Sequence, residues 1–331
     1  MGRRLPTLLF ALGVLLPTGV AGQAPSPAAQ AAKTWTPPRT PDGQPEIQGV
    51  WTNSTLTPLE RPAEFAGKPF LTGAEVAAYE NRLAEQNNRD RRDGGADVDV
   101  GRAYNDFWFE RGTRVVPSRR SSLIIDPPDG RVPPLTPEAE KKAAARAEYR
   151  RLHPADGPED LGLPTRCLLW PVAGPPMLPG GYNNNYQIVQ GPGYVMILVE
   201  MIHDARIIPL DGRPHLPKNV RHWMGDSRGK WEGNTLVVET TNFTDKTNYR
   251  GSGENLRLTE RFTRTGPDQI MYEFTVDDPT TFVRPWTAQL PMQQIKGPVY
   301  EYACHEGNYG MEGILGGTRA EEKKAARTGS Q

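Results

Sequence analysis

Residues 194–241 concentrate the side chains that could carry out chemistry. They include three of the chain's five histidines, His203, His215 and His222, among Asp, Glu and Arg residues. Three imidazoles and a water molecule would suit a catalytic zinc ion or another first-row divalent metal, which makes these histidines candidate ligands. Their spacing matches no metalloprotease motif such as H-E-x-x-H. A metal is therefore one interpretation among several, and the sequence identifies no cofactor.

Acid–base chemistry without a metal is the second interpretation of these side chains. We assign His203 as the general base or metal ligand and Arg206 as the clamp for an anion. A histidine can move a proton while an arginine stabilises developing negative charge. His222, His305 and Glu306 are the expected partners. This set predicts an exported hydrolase or lyase that acts on a small organic or carbohydrate substrate.

Ligand binding without turnover is the alternative function. A barrel mouth lined with aromatic and amide side chains would hold an aromatic compound or a sugar, as a lipocalin-like periplasmic carrier does. A structural interpretation competes with this one, because asparagine is common in turns and each histidine can be an ordinary hydrogen-bonded residue. The candidate binding residues are Asn184, Asn185, Tyr186, Trp223, Trp286 and Tyr309.

Charge and motifs argue against several other functions. The chain has 39 basic and 39 acidic residues, so its zero net charge offers no attraction to nucleic acid or to an anionic membrane surface. There is no G-x-S-x-G nucleophile elbow. Gly251-Ser252-Gly253 lacks the flanking strand and helix of a dinucleotide-binding motif, so no nucleotide-derived cofactor is expected. The expected partner is a small molecule or a carbohydrate, and no oligomeric state is predicted.

The elements that must position these residues follow a β-meander pattern. Turn dipeptides that contain glycine separate short runs with alternating apolar residues, which is typical of antiparallel strands. So many consecutive strands must protect their edges, and we predict a mainly β fold, an antiparallel barrel of the lipocalin-like meander type, with a β-sandwich as the alternative. The predicted strands cover residues 47–52, 186–190, 194–201, 205–209, 229–231, 235–241, 256–265, 269–277, 284–292 and 299–304, with one more within 121–134.

Two peripheral helices are predicted in an N-terminal part that is otherwise rich in loops. The first begins after Thr72, where Glu75 completes a capping box, and runs to about residue 92. The second has Thr136 as its N-cap and Pro137 in its first turn, and continues to about residue 152. Residues 90–99 are expected to form a solvated loop. The four aromatic residues within 104–110 are expected to be buried rather than to bind a ligand.

The N-terminus has the three parts of a signal peptide. Arg3 and Arg4 precede an apolar run over residues 5–16, and small residues at 20–22 provide a cleavage site. The run is too short to span a bilayer, so we predict no membrane span and a periplasmic or secreted protein. The predicted boundaries are a signal peptide at 1–22, a flexible tether at 23–40, a single β-rich domain at 41–318 and a disordered tail at 319–331.

Export changes the meaning of the two cysteines, Cys167 and Cys304. In an oxidising compartment, two cysteines far apart in the sequence form a disulfide more often than they serve as reactive thiols. We therefore predict a disulfide that ties the middle of the chain to its end.

Several motifs resemble a family of secreted bacterial proteins. The similarity extends over most of the chain after the signal peptide. The family has no established activity, so the resemblance implies an exported, β-rich protein and assigns no functional residue. The motifs are PGGYNNNYQIVQ, HDARIIPLDGRPH, GDSRGKWEGNTLVVETTNF and YEYACHEGNY.

Overall fold

Ten β-strands and four α-helices are present in the computed structural model, which describes Gly2 and residues 35–102, 105–170, 173–247 and 249–328. Apart from Gly2, the predicted signal peptide lies outside these residues, as does the predicted tether up to residue 34. Residues 35–40 belong to the same compact unit as the strands. Pro37 is buried there, and the backbone N–H of Glu46 donates to the carbonyl of Pro38. The ordered unit therefore begins before residue 41.

Most strands lie close to their predicted positions. The strands are β1 (Gly49–Thr52), β2 (Ile124–Asp126), β3 (Asn185–Gly191), β4 (Tyr194–Val199), β5 (Ala205–Pro209), β6 (Asp226–Glu232), β7 (Thr235–Thr241), β8 (Arg257–Gly266), β9 (Gln269–Asp277) and β10 (Trp286–Gln294). Alternating burial along β8 and β9 matches the apolar alternation in their sequences.

Nine of these strands form one antiparallel sheet that curls into a nearly closed barrel, which confirms the predicted fold class. The order along the sheet is β5-β4-β3-β1-β10-β9-β8-β7-β6. Strands β3 to β5 and β6 to β10 pair with their neighbours in the sequence, as a meander requires. β1 joins the two groups by pairing with both β3 and β10, and β2 pairs with β10 beside it.

Side chains from alternate positions fill the inside of the barrel. Leu258, Glu260 and Phe262 of β8 are fully buried, as is Tyr272 of β9, because successive side chains of a strand point to opposite faces. The loop before β3 adds Met177, whose backbone N–H donates to the hydroxyl of Tyr272 at 3.0 Å. The interior is therefore a packed core with polar groups inside it.

β5 and β6 face each other across the seam where the barrel closes. Neighbouring strands along the sheet alternate in direction. Because nine is an odd number, closing the sheet into a ring brings together one pair of strands that run in the same direction. Arg206 of β5 donates to Ser227 of β6 at 3.4 Å, and a Cβ at Gly229 of β6 would lie 2.8 Å from Cγ2 of Ile208. From the first contact to the second, the chain advances by two residues in the same direction on each strand, from Arg206 to Ile208 and from Ser227 to Gly229. β5 and β6 are therefore parallel. Side-chain packing closes this seam, since these two fully described strands share no backbone ladder.

The connections from β1 toward β3, from β7 to β8 and from β9 to β10 lie at one end of the barrel, which we call the loop end, whereas the connection from β5 to β6 runs to it from the other end. The register of the ladders brings Thr52, Asn185, Val199 and Ala205 to this end. Loops positioned by a rigid scaffold are common places for binding residues. The polar side chains that follow or precede these four residues are therefore candidates for a binding site.

Three of the four helices lie in the chain between β1 and β3, and the fourth follows β10. They are α1 (Gly73–Asn87), α2 (Ala96–Gly101), α3 (Pro137–Leu152) and α4 (Tyr309–Thr328). Both predicted N-caps are present: Thr72 and Glu75 form the capping box of α1, and Thr136 accepts from a backbone N–H of α3. Tyr79 of α1 packs against Phe65 at 5.4 Å between ring centroids, in a small core of its own. No described helix is long and apolar enough to cross a bilayer.

Three segments differ from the sequence-based prediction. Residues 299–304 form no strand, because β1 and β2 already occupy the edge of β10 where this segment would pair. Residues 319–328, predicted as a disordered tail, continue α4, and Arg319 donates to the carbonyls of Ala155 and Asp156. α1 ends at Asn87, and α2 begins within the predicted loop at residues 90–99.

The predicted disulfide between Cys167 and Cys304 is present and links positions 137 residues apart. Nearby, Nδ2 of Asn308 donates to the carbonyl of Thr165 at 2.8 Å. The disulfide therefore fastens the segment after β10 to the loop before β3.

Candidate functional site

Two of the predicted catalytic residues, His203 and His305, lie side by side with their ring centroids 6.0 Å apart. Ile202 and His203 both have left-handed backbone angles, φ 61° and 45°, which is unfavourable for a β-branched residue such as isoleucine. Nδ1 of His203 lies 2.7 Å from the carbonyl oxygen of Tyr302. Since a carbonyl only accepts, Nδ1 of His203 is the donor in this hydrogen bond.

Asp204 lies close to both imidazoles. Burial raises the pKa of its carboxyl group, and His203 and His305 partly offset that rise. His203, His305 and Glu306 are all exposed. The structure thus brings His203 and His305 of the predicted catalytic set together beside Asp204.

Arg206 does not join this cluster, although it follows His203 closely in the sequence. Its side chain points into the barrel, where it forms a buried ion pair with Glu260. The hydroxyl of Tyr272 also donates to Glu260, at 2.8 Å. Burial raises the pKa of Tyr272 well above its usual value, and the negative charge of Glu260 adds to that rise. Arg206 is therefore a core residue with a neutralised charge and not the clamp for a substrate anion beside His203.

The three predicted metal ligands do not converge on one point. His215 bonds through Nδ1 to Asp226 at 2.9 Å, and the backbone of His222 bonds to the carbonyl of Asn242. Within the described residues, no group of three or more His, Cys, Asp or Glu side chains could hold a metal ion. The described part of the chain therefore offers no ligand set for the predicted metal.

The aromatic candidates have several different environments. Tyr186 and Trp286 are buried in the barrel core, so they do not line an open mouth. Trp223 is half-buried, and its carbonyl accepts from the hydroxyl of Thr247. Tyr309 is exposed at the first position of α4.

The aromatic segment at residues 104–110 also differs from expectation. Phe107 and Trp108 are 84% and 58% exposed, although the sequence predicts burial. Phe109 is half-buried and packs edge-on against Tyr182 at 6.3 Å. Tyr104 lies outside the described residues. Burial therefore holds for only part of this segment.

A groove with a volume of about 930 Å³ lies between α1, residues 106–117 and the outer wall of the barrel at β1 and β10. Leu56, Leu83 and Phe109 supply part of its apolar surface. Side chains with hydroxyl or amide groups supply much of its polar surface. They include Thr52, Ser54, Thr55, Asn87, Asn185 and Gln293.

Most charges in the groove neutralise one another. Glu80 pairs with Arg114 at 2.9 Å and also accepts from the backbone N–H of Val115. Arg111 lies 3.9 Å from Asp106, and its guanidinium is 3.5 Å from the ring centroid of Phe109. Burial lowers the pKa of Arg111, and the neighbouring Arg89 lowers it further. These pairs leave uncharged groups as the main polar contacts for a ligand.

Asn184 and Asn185 lie where the groove meets the loop end. Nδ2 of Asn184 donates to the carbonyl of Glu110 at 2.7 Å, and its Oδ1 accepts from the backbone N–H of Gly180 at 2.6 Å. This locks Asn184 as a structural residue of the loop. Asn185 lines the groove, and its Nδ2 donates to Glu200 at 2.6 Å. Of the predicted binding residues, Asn185 is the one that the groove lining includes.

Sequence reasoning missed Glu110, Glu200 and the groove that they flank. Glu110 follows an aromatic run in a loop and Glu200 follows a strand, and neither has a motif around it. They approach each other only because residue 110 packs against the start of β3 while residue 200 follows β4, its neighbour in the sheet. The available signal was Asn185, which was already a candidate. The predicted hairpin of β3 and β4 identifies the residues that lie near it on the neighbouring strand.

Comparison with protein-family models finds no match, and a search of the curated proteins finds no significant relative. Among solved structures, the chain is similar to a mutant of the fluorescent protein UnaG, with 11% sequence identity and a TM-score of 0.24. The similarity covers 40% of this chain and 86% of that chain. The assignment as a barrel rests on the strand register described above.

Proposed function

We propose that this protein binds a small, hydroxyl-rich molecule such as a saccharide in the groove between α1 and the barrel wall. The lining of the groove is the observation that carries this proposal. The groove's volume of about 930 Å³ is within the range of about 300–1,000 Å³ that is typical of ligand sites.

The chemistry of the lining suits a ligand with many hydroxyl groups. A hydroxyl or amide side chain can both donate and accept, as a sugar hydroxyl does. Thr52, Asn87 and Gln293 provide such groups on different walls of the groove. The ion pairs of Glu80 and Asp106 with their arginines reduce the charge that a ligand would have to match. This lining favours the carrier hypothesis over an enzyme based on the histidines.

Calorimetry with a panel of monosaccharides and oligosaccharides tests the proposal. Gln293 and Gln289 lie on the same face of β10, but only Gln293 lines the groove, and Gln289 donates to Glu273 instead. We expect Gln293→Ala to weaken the best ligand about fivefold to tenfold, the cost of one hydrogen bond. Gln289→Ala serves as the matched control and should bind normally. The proposal fails if no saccharide binds, or if both variants change affinity equally.

A hydrolase or lyase activity centred on His203 stays a prediction. The proximity of His203 and His305 supports it, and the burial of Arg206 removes its proposed anion clamp. Chromogenic esters and glycosides, assayed with the unaltered protein and with His203→Ala, provide the test. Turnover that the substitution abolishes would support the prediction, and turnover that it leaves intact would contradict it.

Export to the periplasm or the medium also stays a prediction. The disulfide between Cys167 and Cys304 is compatible with it. Mass spectrometry of the protein recovered outside the cytoplasm tests the signal peptide directly. We expect a mature N-terminus close to Gln23, and a chain that retains residues 1–22 would contradict the prediction.

A further inference from the structure

The end of the groove that is lined by Asn185 and Glu110, which we call its pole, offers hydrogen-bond acceptors without matching donors. Asn185 is only 8% exposed, and its Nδ2 donates to Oε2 of Glu200 at 2.6 Å and toward Oε2 of Glu110 at 3.4 Å. Its Oδ1 has no hydrogen-bond partner within the described part of the chain, and the residue lines the groove. This largely buried amide therefore presents an acceptor, and not a donor, to a ligand.

The same pole carries two carboxyl groups that have no cationic partner among the described residues. Glu110 lines the groove and forms no ion pair with any described residue, whereas the other lining carboxylates, Glu80 and Asp106, are paired. Glu200 lies behind Asn185, is 2% exposed and accepts from the backbone N–H of Tyr300 at 3.1 Å. It too lacks a cationic partner among the described residues. Two unpaired carboxylates therefore flank the amide of Asn185.

We propose that this pole binds a protonated amine, so that the ligand is a hydroxyl-rich molecule with an amino group, such as an amino sugar. The inference rests on the proposed function of the groove. An ammonium group has three donors and no acceptor, which complements Oδ1 of Asn185 and the carboxylate of Glu110. A hydrogen bond from a charged donor to a carboxylate is about twice as strong as a neutral one. An amine should therefore be preferred over a hydroxyl at the same position.

Three β-1,4-linked oligomers of equal length, which differ only at the second carbon of each ring, test this inference by calorimetry. They are oligomers of glucosamine, of N-acetylglucosamine and of glucose, measured in low salt at pH about 6, where an amine is protonated. We expect the glucosamine oligomer to bind at least about tenfold more tightly than the other two.

Two variants locate the preference. Glu110→Gln keeps an acceptor and the size of the side chain but removes the carboxylate. The glucosamine oligomer and the other two oligomers should then bind with nearly equal affinity. Because Glu110 is exposed, this change should not disturb folding, which a thermal melt checks. Glu273→Gln removes a charge from the barrel wall outside the groove lining and should keep the full preference.

The outcomes separate this inference from the proposed function. If the glucose and glucosamine oligomers bind equally well, or if Glu110→Gln keeps the preference, the amine site is wrong and the groove remains a saccharide site. If none of the three oligomers binds, the amine site is wrong, and the panel of monosaccharides and oligosaccharides decides separately whether the groove binds a saccharide.

Discussion

At the residue scale, the alternation of inward and outward side chains along β5 determines the role of Arg206. Arg206 and Ile208 share the inward face of β5, whereas Ile207 between them is 65% exposed. The sequence of β5 alone does not predict this, because Ile207 and Ile208 lie on opposite faces of the strand and either face could be the buried one. The contacts around Asn185 could not be predicted from the sequence either. Glu110 and Glu200 are 90 residues apart and meet there through the packing of a loop on a hairpin.

The buried ion pair gives a first prediction on stability. Glu260→Ala leaves the charge of Arg206 buried without a partner, so the free energy of unfolding should fall by about 3–5 kcal/mol. Glu232→Ala is the control, because Glu232 is exposed in its pair with Lys230 and should cost less than about 1 kcal/mol. Urea unfolding measures both. Equal, small losses would show that Arg206 is not buried as described.

Asp226 gives a second prediction, on the dependence of stability on pH. Burial alone would raise its pKa, but bonds from the N–H of Leu216, from His215 and from Arg228 lower it overall. The stabilisation is therefore present above the unfolded pKa of about 3.9 and is lost as the pH falls through the folded pKa. Asp226→Asn should lower the free energy of unfolding at pH 7 by about 1–3 kcal/mol. The gap should narrow in acid, and a gap that is constant with pH would contradict this account.

At the element scale, local signals predicted α1 and α3 well because their capping residues lie within a few positions of their first turns. The same reasoning missed α4, whose charged residues suggested a frayed tail. Ala, Glu, Lys and Arg are strong helix formers, and the contacts of Arg319 with the loop after α3 add tertiary support. The strand β1 was predicted at residues 47–52, but its place in the sheet was beyond local reasoning, since its pairing with β3 and β10 joins segments that are distant in the sequence.

The disulfide gives a prediction at this scale. Replacing Cys167 and Cys304 together by serine opens a loop of 137 residues, which should lower the free energy of unfolding by up to about 5 kcal/mol in the chain-entropy description. Asn308→Ala leaves the disulfide intact and removes the hydrogen bonds of its Nδ2 to the carbonyl of Thr165 and, more weakly, to Sγ of Cys167, so it should cost about 1 kcal/mol. Denaturant midpoints compare the two variants. A double serine variant as stable as Asn308→Ala would contradict the prediction.

At the scale of the whole molecule, closure of the barrel depends on β5 and β6 meeting in parallel. The meander and its turns could be predicted from the sequence, and so could the preference for a barrel over a sandwich. The parallel seam could not, because it depends on the number of strands in the ring and on the insertion of β1. The groove depends on the same arrangement, since its wall is formed where β1 and β10 pair.

Gly229 tests the seam. A side chain there would meet Leu210 and Ile208, with a Cβ only 2.7 Å from Cδ2 of Leu210. Gly229→Val should therefore lower the free energy of unfolding by about 1–3 kcal/mol through overpacking. Gly266→Val is the matched control in a strand, because a Cβ there would make only an ordinary contact at 3.8 Å with Gln269. If both valine variants have the same stability, β5 and β6 do not pack as described.

Hydrogen–deuterium exchange with and without a saturating saccharide ligand tests the central claim most directly. We expect slower exchange in α1 and in residues 106–117, the two walls that face the barrel across the groove. Exchange in the turn at residues 190–194, which lies away from the groove lining, should stay unchanged and serves as the internal control. Protection confined to the groove walls would support a binding site there. Protection around His203 and His305 with none in the groove would contradict the account.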